Sequence, residues 1–135
     1  MMRLLNVISV LVSIGLTPYP LMAATYDGSA PLLCALMEVM ECEAANECQR
    51  TTAEQVNLPP FIKVNVAEKT LVGADNDAQE AAVENVQHAN GRLVMQGGKE
   101  GRGWSLVILG DTGQMSAVVA DGDGAFVIFG ACTTP

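Results

Sequence analysis

The chain has 135 residues, half of them hydrophobic, with 15 acidic side chains against 7 basic ones and a formal net charge of −8. A chain of this length supports one hydrophobic core and not several. Arg50, Lys63, Lys69, Arg92, Lys99 and Arg102 are scattered among carboxylates, which speaks against nucleic acid and anionic membrane surfaces as partners, because both attract clustered cations.

The first segment reads as a secretory signal peptide over residues 1–24. Met1-Met2-Arg3 supplies the positive start, Leu4 to Leu16 the apolar run, and Ala23-Ala24 the small-residue exit. The run is shorter than the roughly 20 apolar residues that span a bilayer, and Pro18 and Pro20 close it. Cys34, the first cysteine, follows Pro31-Leu32-Leu33 and lacks the small-residue box of a lipid anchor. No second long apolar stretch follows. The expectation is a single domain over residues 25–135 with no membrane span after cleavage, delivered to the periplasm or secreted. Loss of Arg3 with the leader would leave that domain more acidic still.

Residues 30–41 suggest a helix. Ser29 can cap it, Pro31 is tolerated in a first turn, and Leu33, Leu36, Met37 and Met40 recur on one face, widened by Leu32 and Val39. The four cysteines, Cys34, Cys42, Cys48 and Cys132, are an even set in an oxidising compartment and read as two disulfides. On a continuous helix Cys34 and Cys42 would lie about 12 Å apart, beyond the roughly 4.4 to 6.8 Å that a disulfide permits between Cα atoms. Cys42 and Cys48 flank a five-residue segment that can close as a small loop. The predicted pairs are therefore Cys34 with Cys132 and Cys42 with Cys48.

Beyond Pro59-Pro60 the pattern is that of strands, from about residue 61 to 130. Ile62, Val64 and Val66 alternate with Lys63 and Asn65, and Thr70-Leu71-Val72 returns as the second arm of a hairpin. Residues 80–89 are ambiguous between the two periods. Asp77 with Glu80 imitates a capping box, yet Asn90-Gly91 followed by Arg92-Leu93-Val94-Met95-Gln96 is a hairpin signal that needs Val83 to His88 as a strand. Strand is the prediction. Loops at 97–103, 110–114 and 121–124 then separate strands over 104–109, 115–119 and 125–130. The fold class predicted is α+β and mainly β: an N-terminal helix packed on an antiparallel meander of about seven strands that can curl into a small barrel, with Leu106, Ile108, Phe126 and Ile128 in the core.

Gly101-Arg102-Gly103-Trp104-Ser105, the turn with Thr112-Gly113, and the ending Phe129-Gly130-Ala131-Cys132-Thr133 resemble a group of small exported bacterial proteins of uncharacterised activity. The resemblance spans most of residues 25–135. It implies export, a β-rich domain and this cysteine placement, and it implies no activity.

Candidate chemistry is sparse. Gly110-Asp111-Thr112-Gly113 contains the D-T-G of aspartic proteases, but no second such element is present, so Asp111 could serve a hydrolase only in a homodimer. Favoured turn residues explain the same letters. Asp75-Asn76-Asp77 and Asp121-Gly122-Asp123-Gly124 are fragments of calcium loops without the complete ligand set. No C-x-x-C occurs and His88 is the single histidine, so no metal or cofactor is expected. His88 has no nucleophile at a recognisable spacing, and no phosphate-binding motif follows a strand. Arg102 beside Trp104, the chain's one tryptophan, is the binding candidate, a cation next to an aromatic surface. The functional expectation is a non-catalytic binding or interaction module of the cell envelope, whose partner is an envelope protein or a small ligand. A small homodimeric hydrolase using Asp111 and a carrier of an apolar ligand are the alternatives.

Overall fold

The structure, a computed structural model, describes residues 25–75 and 79–135. The predicted signal peptide over residues 1–24 and Asn76-Asp77 of the first calcium-loop fragment lie outside the described residues.

The predicted N-terminal helix is instead a long strand, β1 (Leu32–Glu43). Its apolar spacing explains the misreading. Leu32, Cys34 and Leu36 follow the two-residue period of a strand, with Leu32 and Cys34 buried. The register then slips between Leu36 and Glu38, and beyond this bulge the inward phase passes to Val39, 1% exposed, while Met37 stands 73% exposed. One extra residue in a strand thus generates an i, i+4, i+7 series at Leu32, Leu36 and Val39, the spacing of a helical stripe.

β1 turns back into β2 (Gln49–Thr51), and the Cys42–Cys48 disulfide closes that turn. The second disulfide joins Cys34 to Cys132, which are register partners on β1 and the last strand. Both pairs are the expected ones, although the geometry that separates Cys34 from Cys42 is different. Eight residues of strand hold them roughly 26 Å apart, further than a helix would. A short 3-10 turn, Glu54–Val56, then leads through Pro59 and Pro60 into the first meander.

Eight further strands follow as two meanders that flank β1, the first of β3 (Phe61–Asn65), β4 (Thr70–Gly73) and β5 (Glu80–Ala82), the second of β6 (Asn85–Ala89), β7 (Arg92–Lys99), β8 (Arg102–Leu109), β9 (Gln114–Ala120) and β10 (Gly124–Thr133). All pairings are antiparallel, in the order β5-β4-β3-β1-β10-β9-β8-β7-β6, with β2 on β1. The sheet curls until its two outermost strands are consecutive in the chain. At that seam the chain steps from one edge to the other: the Val83 N–H donates to the Lys69 carbonyl at 2.9 Å, extending the β5–β4 ladder, and the Glu84 N–H donates to the Gln96 carbonyl at 2.9 Å, extending the β6–β7 ladder. Residues 80–89 are therefore extended, in two pieces that bond to opposite neighbours.

Two-residue turns at Asn90-Gly91 and Glu100-Gly101 link β6 to β7 and β7 to β8, all four residues having positive φ as such hairpins require. The expected loop over 97–103 is consequently much shorter, with Gly97-Gly98-Lys99 and Arg102-Gly103 paired in the ladder. Gly97 is required by close approach: a Cβ there would lie 2.7 Å from the Trp104 ring and against the Ala82 carbonyl across the seam.

Inward rows from the curled sheet form the core. Leu93 and Met95 of β7, Ile108 of β8 and Val64 of β3 are fully enclosed, and Leu106 and Ile128 are nearly so. Phe126 packs against this cluster while partly exposed. The segment before β1 crosses the end of the curl at which β6, β8 and β10 finish. There the Tyr26 N–H donates to the Gly110 carbonyl at 3.0 Å, the Tyr26 ring lies at Gly113, and Gly28 lies against Val66 and Leu93. One end of the curl is thereby covered.

Candidate functional site

The other end is where β3 begins and where the β4–β5, β7–β8 and β9–β10 connections lie. It opens into a cavity of about 260 Å³. Leu36, Ile62, Leu71, Leu106, Met115, Ala117, Val119 and Ile128 supply apolar walls from six strands, and Trp104 adds its indole. These residues meet because the strands alternate. Trp104, Leu106 and Ile108 share the inward phase of β8, and Met115, Ala117 and Val119 share that of β9. The lower members of each row fill the core, whereas small Ala117 and the positions nearer the mouth leave space.

The rim is polar. Asn57, Gln79, Glu80, Lys99, Glu100 and Arg102 surround the opening. Arg102 and Trp104, the pair singled out from the sequence, both line the cavity. The Arg102 Nε lies 3.8 Å from Asp121 Oδ2, a long and solvent-exposed ion pair. The Trp104 Nε1–H is buried and has no acceptor among the described residues, while its ring is set against Gly97. Sequence reasoning missed Lys99, Leu36, Ile62 and Leu71. Lys99 was readable in principle, since Leu93, Met95, Gly97 and Lys99 continue one inward phase past the glycines.

The remaining candidates lie elsewhere. Asp111 occupies the β8–β9 turn at the covered end, where the Gly113 N–H donates to the Leu109 carbonyl at 2.9 Å and the Gln114 N–H to Thr112 Oγ1 at 3.3 Å. The D-T-G letters thus form a hairpin tip far along β8 from the cavity. Asp121-Gly122-Asp123-Gly124 is likewise a turn, in which Asp121 Oδ1 accepts the Gly124 N–H at 3.1 Å. Among the described residues no group of three or more His, Cys, Asp and Glu side chains is arranged to hold a metal ion.

His88 lies beside the covering segment, its Nε2 2.7 Å from the Asp27 carbonyl oxygen. The Asp27 carboxyl is held below the ordinary aspartate value of 3.8, first by the Ser29 hydroxyl and next by the Ser29 N–H, which donates to Oδ1 at 2.9 Å, with His88 contributing least. A lowered folded-state pKa stabilises the fold above the unfolded value, and this stabilisation disappears as pH falls through the folded value. A carboxyl-detected NMR titration should place the Asp27 midpoint below 3.8, and Ser29→Ala should raise it.

Compared with family models, with curated proteins and with solved structures, the chain matches none.

Proposed function

We propose that this protein is a non-catalytic, exported binding module that takes a small apolar ligand into the cavity at the open end of its curled sheet. The observation that carries this reading is the cavity itself. Its wall is mainly hydrophobic, its mouth is ringed by polar side chains, and the opposite end is covered by the segment through Tyr26 and Gly28. Binding sites for small molecules share that plan, an apolar interior with a few polar groups to orient the occupant. At about 260 Å³ the space falls just under the usual range for drug-sized ligands. It suits an occupant of on the order of ten non-hydrogen atoms.

Two disulfides support an oxidising destination, periplasmic or extracellular. Among the described residues no helix is long and apolar enough to cross a membrane. A second reading, docking of an envelope protein, is favoured by one feature of the outer surface. Phe61, Met37, Phe129 and Val118 are exposed on the adjacent strands β3, β1, β10 and β9. The Asp111 hydrolase reading draws no support from the cavity, because Asp111 sits at the other end of the sheet.

Trp104 provides the test. As the chain's one tryptophan on the cavity wall, its emission should shift and saturate when short apolar molecules are titrated in. Ala117→Phe should fill the space and weaken that binding about tenfold or more, at an overpacking cost of about 1–3 kcal/mol. Unchanged affinity in a folded Ala117→Phe protein would place the ligand elsewhere.

A further inference from the structure

Resting on the reading of the cavity as a ligand site, we propose that its occupant is a short aliphatic carboxylate, with the chain against Trp104 and Leu106 and the acid group between Lys99 and Arg102. The two cations are direct partners across the β7–β8 ladder. Both stand in inward-facing rows and both line the mouth.

Like charges at directly opposed positions repel across a ladder and are ordinarily avoided. Here the repulsion is only partly relieved. Arg102 has Asp121 at 3.8 Å through Nε, which leaves the terminal guanidinium nitrogens without an ion pair among the described residues. Lys99 donates from Nζ to the Glu80 main-chain carbonyl at 2.6 Å, a neutral acceptor, and among the described residues it has no carboxylate partner. An anion placed between the two would relieve the repulsion and accept charge-assisted hydrogen bonds from both, about twice as strong as neutral ones.

The carboxylates at the rim are disposed differently. Glu80 is exposed and out of phase with buried Val83 along the same extended run, so it stands on the outward side. Glu100 is at the tip of the two-residue turn with φ 52°. Neither shares the inward rows that carry Lys99 and Arg102. The apolar wall then sets the rest of the molecule. A cation pair alone would suit any small anion, but the hydrophobic space directly beneath it selects one with an aliphatic tail, and octanoate, with ten non-hydrogen atoms, is about the size the space admits.

The experiment uses the full folded domain and three probes of matched chain, octanoate, octanol and octylammonium, each titrated against Trp104 emission. Octanoate should bind about tenfold or more tighter than octanol, and octylammonium more weakly than either. Lys99→Gln and Arg102→Gln should each reduce the octanoate-to-octanol affinity ratio by about tenfold. Binding of octanol as tight as octanoate, or a ratio untouched by both substitutions, would overturn the carboxylate proposal and leave the cavity reading standing. Failure of all three probes to bind would overturn the cavity reading as well.

Discussion

Replacing Cys34 and Cys132 together by Ala is expected to lower the free energy of unfolding by up to about 4.7 kcal/mol, whereas the same replacement at Cys42 and Cys48 should cost about 2.4 kcal/mol. The difference follows from loop length in the chain-entropy account. The first bridge spans 98 positions and the second 6, and a cross-link removes more freedom from the unfolded chain when its loop is longer. Net stability of a small domain is about 5–15 kcal/mol, so loss of the long bridge should shift the urea midpoint far more than loss of the short one. The folded state should survive in outline, because Cys34 and Cys132 form one rung of a ladder that also pairs Ala35 with Ala131 and continues to Glu43 with Gly124. Urea unfolding of both variants, with slopes compared to detect a changed unfolded state, decides the point. Equal losses would contradict the loop-length account.

Ile108→Ala should cost about 2–5 kcal/mol, and Leu106→Ala should fall at or below the low end of that range. Both residues lie on the inward face of β8, at 0% and 2% exposure, so burial alone predicts the same penalty. Their surroundings differ. Ile108 sits toward the covered end, fully buried and away from the cavity lining, while Leu106 borders the cavity. Truncation penalties grow with the void created and with the dispersion attraction forfeited, and a side chain facing open space on one side has less of that attraction to begin with. Leu106→Ala also deepens the cavity, so it should move ligand preference toward a longer chain. Thermal or urea unfolding measures the first effect, and titration with alkyl carboxylates of increasing length measures the second.

Much of this sheet is readable from one sequence because its turns carry strong local signals. Asn90-Gly91 fixes the β6–β7 hairpin, and the glycine and aspartate clusters near 110 and 121 bracket β9. Where such signals are missing, the reading fails for a definable reason. β1 has no turn in its first half and one bulge in its middle, and a phase slip of one residue converts its alternation into helix-like spacing. The Gly97–Gly103 segment misleads in the opposite sense, since glycine there serves the Trp104 ring and the seam and not a loop.

The candidate site is less legible than the fold. Arg102 and Trp104 draw notice by residue type, but Leu36, Ile62, Leu71 and Val119 come from separate strands and look like ordinary core positions. Their meeting around an unfilled space depends on how far the sheet curls and on Ala117 being small. Neither property is encoded in a local pattern.

The bond between Cys34 and Cys132 also gives the molecule a load path. Tension applied at Thr25 and Pro135 would pass through a covalent link between the first and last long strands, and none of it would reach the strands in between. Stretched between these two positions, the oxidised protein should yield only the short segments outside the bridge. The reduced protein should pay out its whole length.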